Sequence, residues 1–322
     1  MKKIRQCYSG IGGQAVLEGV MMKNGEKYAV AVRKPDGSIA VDIQSHNRGR
    51  ALETVSKIPF FRGIFNFFDS LILGMKALNF SASFYDEEDG EATGLDKTLD
   101  KVSGGRAESI LSVIITIFSI VLTLGIFIVL PYYVSSLLGG FIRNASLMAL
   151  IEGVLRIVIF LIYVLAISLM KDIRRLYMYH GAEHKCINCL ERGKPLNVKY
   201  VKNSSRYHKR CGTSFVFFVM LVSIVLFFFI RVDDTAMKVF LRILLMPVVA
   251  GISYEIIRFA GRSDNLFVTI LSAPGKLIQH ITTKEPDESM IEVAIASVEA
   301  VFDWRKYLKD TFGYEFADDK VV

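Results

Sequence analysis

Hydrophobic and polar positions change period along this chain, from an alternation of two near the N-terminus to helical spacing and then to long unbroken apolar runs. Lys27–Lys34 is apolar and alternating at its centre, Ile39–Gln44 alternates again, and Pro35-Asp36-Gly37-Ser38 between them is a turn, so the pair predicts a β-hairpin. Ala15–Met22 predicts a third strand. Pro59–Phe84 then sets Phe61, Ile64, Phe65, Phe68, Leu71, Ile72, Met75 and Leu78 at helical spacing, with Lys57 and Arg62 flanking its start. Such a helix either lies in a membrane interface or packs on the hairpin. Asp86–Arg106, acidic and then Gly-rich, reads as a linker.

The apolar runs predict membrane spans. Ile110–Leu130 holds no charge and, as a helix, is about 32 Å long, enough to cross a bilayer core. Pro131 is expected to end it. The second span runs roughly over Ala145–Met170 and carries Glu152 and Arg156 at i,i+4, where they can pair on one face. Cys211–Ile230 is a third, uncharged span, and Ala236–Phe259 a fourth, interrupted by Lys238, Arg242, Pro247, Gly251 and Glu255. Asn265–Ile281 is apolar but broken by Ala273-Pro274-Gly275, which points to an interfacial or re-entrant piece. Pro286-Asp287 starts a helix to about Phe302, with Ile291, Ala294, Ile295, Val298, Val301 and Phe302 on its apolar face.

The expected fold is therefore an α-helical multi-span membrane protein with about four transmembrane helices and a small β-containing cytoplasmic N-terminal domain. Its divisions are 1–85, a hairpin domain plus amphipathic or interfacial helix; 86–108, linker; 109–170, two spans; 171–210, a cytoplasmic loop; 211–259, two spans; and 260–322, a cytoplasmic helical tail.

Composition agrees: 52% of the 322 residues are hydrophobic and only 22% are charged, which excludes a disordered chain. No cleavable signal peptide is read in Met1-Lys2-Lys3-Ile4-Arg5. The net charge is +7, and where it sits decides what it means. Lys and Arg number 15 over 1–108, one over 131–144, eleven over 171–210, one over 231–235 and eight from Arg258 onward. By the positive-inside rule, that alternation puts both termini and the central loop in the cytoplasm of a bacterial cell, in a multi-pass protein of the cell membrane. The basic balance needs no nucleic acid, and no nucleic-acid motif stands out. Membrane lipids are the partners implied, with a membrane-protein partner or a homo-oligomer left open.

Chemistry concentrates in the central loop. It opens with Tyr179-His180-Gly181-Ala182-Glu183-His184-Lys185, an H-x-x-E-H pattern. On a helix, His180 and His184 share a face and can share a metal, with Glu183 beside them as a base. Gly181 costs such a helix about 1 kcal/mol of propensity. Cys186 and Cys189 follow as C-x-x-C, and the loop closes with His208-Lys209-Arg210-Cys211. The cysteines, mixed with histidines, read as metal ligands rather than a disulfide framework. Two arrangements fit zinc or another divalent metal. One is catalytic: His180, His184 and either His208 or Cys211, with Glu183 as base and an open position. The other is structural and closed: Cys186, Cys189, His208 and Cys211.

Three stretches, Gly12-Gly13-Gln14-Ala15-Val16-Leu17-Glu18-Gly19-Val20-Met21-Met22, Tyr179–Lys185 and Arg210-Cys211-Gly212-Thr213-Ser214-Phe215, resemble signatures of the YqhQ-like family of bacterial integral-membrane proteins. Gly251–Arg258, and Ala273-Pro274-Gly275 with Thr283-Lys284-Glu285-Pro286, also fit it. The family is a domain of unknown function described as predicted metal-dependent enzymes, so the resemblance implies a metal site but no substrate. It makes His180, Glu183, His184, His208 and Cys211 the family-type positions.

Other motifs carry less. Gly10-Ile11-Gly12-Gly13 lacks the Lys-Ser/Thr of a phosphate loop and reads as a turn into a strand. Glu18 reads as an exposed strand residue, with a role as distal ligand or base the alternative. Glu255 is expected to pair with Arg258 one turn away, a distal metal ligand being its alternative. The functional expectation is a membrane-embedded metal-dependent enzyme, a hydrolase at the cytoplasmic membrane surface. Its alternative is a non-enzymatic membrane scaffold or regulator with a structural zinc site. A transporter is a weaker third, since no inverted repeat is visible.

Overall fold

The computed structural model describes residues 6–46, 58–85, 107–138, 141–142, 144–230, 232, 234–260 and 266–316. The expected linker over 86–106 lies outside them. The chain forms two compact units. The first comprises Met1–Tyr85, Leu165–Phe218 and Gly251–Val322, and the second Asp86–Val164 and Val219–Ala250.

In the first unit four antiparallel strands run in sequence order: β1 (Ile11–Val16), β2 (Gly19–Asn24), β3 (Lys27–Arg33) and β4 (Ile39–Ser45). The hairpin of β3 and β4 is the one the alternation predicts, with Arg33 opposite Ile39. The third predicted strand, Ala15–Met22, is instead parts of two. The chain reverses at Leu17-Glu18, so that Val16 pairs with Gly19. Glu18 adopts a φ of 48°, a conformation the local sequence does not advertise. It is a half-buried turn residue, not an exposed strand residue.

The sheet is covered on both faces. One carries Ile11, Val20, Met22, Ala29 and Ala31 into a core with two helices, α5 (Lys171–Glu191) and α10 (Glu288–Val301). The other carries Val16, Met21, Tyr28, Val30 and Val32 onto Leu73 and Ala77 of α1 (Phe61–Ala82). Two-sided cover explains why β2 and β3 read as near-continuous apolar runs. The tail helix α10 begins where Asp287 accepts a bond from the Met290 N–H, as its cap sequence predicts. The remaining elements of the unit are the short α6 (Val198–Lys202), α9 (Leu266–Thr282) and a last helix, α11 (Trp304–Phe312), which the hydrophobic pattern did not reveal. Two readings change here. Residues 171–210 are largely helical rather than a loop, and α9 runs unbroken through Pro274.

The second unit is built from apolar helices. α2 (Ala107–Leu124) widens into a π-helical stretch, Gly125–Val129, and continues as α3 (Leu130–Ser136), so Pro131 does not end the first apolar helix. Pro131 has no N–H to offer the carbonyl of Phe127 four residues back; Arg156 Nε takes that carbonyl at 2.9 Å. Arg156 lies on α4 (Ala145–Ile167) and pairs with Glu152 at 3.1 Å, as its i,i+4 spacing predicts. α7 (Gly212–Phe228) and α8 (Thr235–Ala260) are divided between the units, with residues 212–218 and 251–260 in the first and the remainder in the second. Arg242 of α8 joins the same carboxylate, Nη2 to Oε2 at 2.7 Å, and all three charged residues are buried. Among the described residues, three helices are long and apolar enough to cross a membrane: Val113–Ser136, Ser146–Ile167 and Ala236–Phe259. The third expected span, α7, is apolar but only 17 residues long.

Candidate metal centre

Residues 180 and 184 stand one turn apart on α5, and their imidazole centroids are 4.4 Å apart. The helix can approach the chain after α9 because position 181 is glycine. A Cβ there would fall 2.1 Å from the Lys284 carbonyl oxygen. That contact brings the Thr282 carbonyl to His180, and the segment before α7 brings a second carbonyl to His184. His180 Nδ1 lies 2.9 Å from Thr282 O, and His184 Nδ1 lies 2.6 Å from Arg206 O. A carbonyl only accepts, so each Nδ1 carries the proton and donates, which leaves each Nε2 as the metal-binding nitrogen.

Cys211, immediately before α7, meets them from the other end of the central segment. Its Sγ is 3.2 Å from His180 Nε2 and accepts from the Thr213 N–H at 3.4 Å. Nitrogen and sulfur donors of His180, His184 and Cys211 all lie within 4.8 Å of one another. At a tetrahedral zinc, such donors stand about 3.3–3.6 Å apart, given Zn–N near 2.0–2.1 Å and Zn–S near 2.3 Å. Burial alone would lower the His180 pKa, but the Cys211 sulfur, its hydrogen bond and Glu183 outweigh it and push it up to about 9.

Glu183 reaches the same place, its Oε2 3.5 Å from His184 Nε2 and 3.9 Å from His180 Nε2. It is buried, and β1 accommodates it through Gly13, where a Cβ would sit 2.9 Å from Glu183 Cγ. Gly13 thus serves the site by leaving room for a carboxylate, whereas a Cβ at Gly12 would meet only open space.

His208 stands next to this group without joining its three donors. Its ring centroid is 5.6 Å from that of His184, and its Nε2 is 3.6 Å from Glu191 Oε2, too long for a hydrogen bond. The wholly buried Gln279 of α9 fixes it, accepting from the His208 N–H at 2.9 Å and donating to its carbonyl at 2.7 Å and to Ser214 Oγ at 3.0 Å. Glu191, also wholly buried, takes the Ser9 N–H, Gln6 Nε2 and Arg210. Burial would raise its pKa, but His208, Arg210 and the Ser9 N–H hold it down at about 2. Gln279 and Glu191 escaped sequence reasoning. Their only signal is a polar side chain in an otherwise apolar helical pattern.

The other candidates lie elsewhere. Cys186 and Cys189 sit in the apolar core with Ile11, Val20 and Met290, and burial drives the first thiol's pKa well up and the second's to about 11. Cys189 Sγ contacts the Pro195 carbonyl at 3.4 Å. Glu18 pairs with Arg175 and accepts from Tyr179 Oη at 3.1 Å. Glu255 pairs with Arg62 of α1, not with Arg258 as expected, and takes the Phe60 N–H at 3.1 Å.

These features define a class: a helical protein with apolar helices of membrane-spanning length, a small antiparallel sheet, and a buried His-His-Cys cluster beside a carboxylate. The family model "Protein of unknown function (DUF1385)" matches residues 58–304, and the chain belongs to that family. It is 34% identical over 287 residues to the "Uncharacterized protein YqhQ" of Bacillus subtilis (strain 168), covering 89% of this chain and 90% of that one. The resemblance read in the sequence motifs is thereby borne out. No solved structure matches.

Proposed function

We propose that this is a membrane-embedded metal-dependent hydrolase working at the cytoplasmic face of a bacterial membrane. The observation that carries the reading is the orientation of the two histidines: both Nδ1 atoms are tied to backbone carbonyls, so both Nε2 atoms are left for an ion that Cys211 can share. Two imidazoles and a thiolate suit zinc or another borderline divalent ion, and carbonyl partners of this kind are the usual outer shell of metal-bound histidine. When bound, such an ion supplies Lewis-acid activation of water and of a polar substrate oxygen. Glu183 accepts the proton of the attacking water, since its carboxylate lies alongside both Nε2 atoms.

With His180, His184 and Cys211 as its protein donors, a tetrahedral ion would have one position left for water, the pattern of a catalytic rather than a structural zinc site. A non-enzymatic scaffold with a closed zinc site gains less support, because Cys186 and Cys189 are packed into the apolar core. Topology follows from the alternation of Lys and Arg, with four spans, α7 among them at about 25 Å, and both termini and α5 in the cytoplasm. A substrate that partitions into the membrane, a lipid or a membrane-protein segment, reaches a site so placed most directly.

Metal analysis of the purified protein tests the reading. About one divalent ion per chain is expected, with loss of most of it in His180→Ala. Metal content that is nil, or that His180→Ala leaves unchanged, overturns it.

A further inference from the structure

α1 is apolar on two sides. Leu73 and Ala77 pack against the sheet, while Phe61, Phe68, Leu71, Ile72, Met75 and Leu78 point away from it, each about half exposed. Six large apolar side chains on one face far exceed the scattered exposure normal for a surface helix in water. The first half of α1 is braced against the end of α8. A Cβ at Gly63 would fall 3.1 Å from Gly251 Cα, Asn66 Nδ2 donates to Tyr254 Oη at 2.8 Å, and Arg62 pairs with Glu255. Phe67 also packs against Phe215 of α7, the rings tilted at 37° with centroids 5.5 Å apart.

Gly251 lies eight residues inside the end of the membrane-length segment Ala236–Phe259, about 12 Å along the helix axis. The start of α1 therefore sits at the depth of one leaflet if that segment spans. Two of its three charges suit that depth, Arg62 being neutralised by Glu255 and Asp69 by Lys23 at 3.0 Å; the third, Lys76, is exposed and has a stem long enough to carry its ammonium toward the headgroups.

We propose that α1 is a membrane-interface helix whose outward face, from Phe61 to Leu78, is buried among the acyl chains of the cytoplasmic leaflet. The occupant is lipid rather than a protein because Arg62, Gly63 and Asn66 fasten α1 to the last turns of a membrane-length segment, at Glu255, Gly251 and Tyr254. The inference rests on the reading of α8 as a span, and it adds a second attachment, by which the sheet carrying Gly13 is held to the bilayer surface.

The chain's single tryptophan makes a direct test. In a W304F background, F68W and I72W report from α1, and L244W from the exposed flank of α8. Each full-length variant is reconstituted into vesicles of phosphatidylcholine and phosphatidylglycerol, with or without bromine on the acyl chains. F68W and I72W are expected to lose about half their emission to acyl bromine, as for a helix seated ~5–10 Å deep, and to resist aqueous iodide. Quenching by iodide alone would put the face in water. Quenching by neither would mean that protein covers it. Either result with L244W quenched by bromine overturns the proposal, whereas L244W unquenched overturns the membrane-spanning reading on which it stands.

Discussion

Gly181 lies directly against the carbonyl oxygen of Lys284, with no room between them for a Cβ, and the Lys284 N–H donates to Tyr177 O at 2.8 Å. An exposed helical glycine changed to alanine gains up to about 1 kcal/mol. Here the sign reverses, because the added carbon would meet backbone. Gly181→Ala is expected to cost roughly 1–3 kcal/mol and to displace Thr282, whose carbonyl orients His180. The expected outcome is a lower melting temperature together with weaker metal retention on dialysis. Unchanged values in both would mean that the 282–286 segment does not hold His180 in place.

The two histidines and the carboxylate between them should separate by function. His180→Ala and His184→Ala each remove a donor and should lower bound metal. Glu183→Gln keeps the shape and should retain metal while abolishing the cellular function of the gene, since an amide cannot accept the water's proton. A fully functional Glu183→Gln strain would remove Glu183 as the base and favour a structural site.

Much of this was legible beforehand. The β3–β4 hairpin announces itself by alternation around a Pro-Asp-Gly-Ser turn, and α10 by its Asp287 cap and apolar stripe. Spacing put His180 and His184 on one face, and the nearness of consecutive helix ends put His208 and Cys211 beside them without choosing between the two; the Cys211 sulfur is the one that lies with the two imidazoles. What stayed hidden depends on contacts distant in sequence. The turn at Glu18 carries none of the usual turn residues except Gly19, and its conformation is secured by Arg175 and Tyr179 of α5. The partner of Glu255 proved to be Arg62, 193 residues away, rather than the helical neighbour Arg258. Pro131 reads as a terminator in the sequence, yet the helix continues past it, with Arg156 of another helix donating to the Phe127 carbonyl four residues back.

Acid should loosen the first unit through Glu191. Its folded pKa is about 2 against an ordinary value of 4.5. A depressed carboxylate stabilises above its unfolded pKa, so its contribution, on the order of 3 kcal/mol, is complete above about pH 4.5. It then fades as the pH falls toward 2. Thermal melts from pH 7 to pH 3 should show a steep acid limb in the wild type and a flatter one, from a lower start, in Glu191→Gln. Superimposable profiles would mean that Glu191 is not held ionised by Arg210 and its neighbours.

Topology can be read with reporter fusions. A fusion at residue 140, in the Lys/Arg-poor connection, should report outside the cytoplasm, and one at residue 190, at the end of α5, should report inside. An external signal at 190 would detach the candidate site from the cytoplasmic face and remove the argument about its substrate.

Glu152 serves two guanidiniums at once, Arg156 at 3.1 Å and Arg242 at 2.6 Å, with Ser223 Oγ accepting from Arg156 at 2.9 Å. All three charged side chains are about 95% buried within apolar helices, so the carboxylate is what makes two arginines tolerable there. Removing it leaves two buried cations facing each other, a loss of about 3–5 kcal/mol by comparison with other broken buried pairs. Glu152→Ala is therefore expected to reduce the amount of folded protein in the membrane sharply, measured by detergent-extracted monodisperse yield and melting temperature. Replacing the whole network, E152L with R156M and R242M, removes every charge together and should recover most of that loss. Recovery should be incomplete, because Arg156 also donates to the Phe127 carbonyl, four residues before Pro131. If Glu152→Ala is as stable as the wild type, the arginines reach water or another anion, and the network is not the lock that its burial implies.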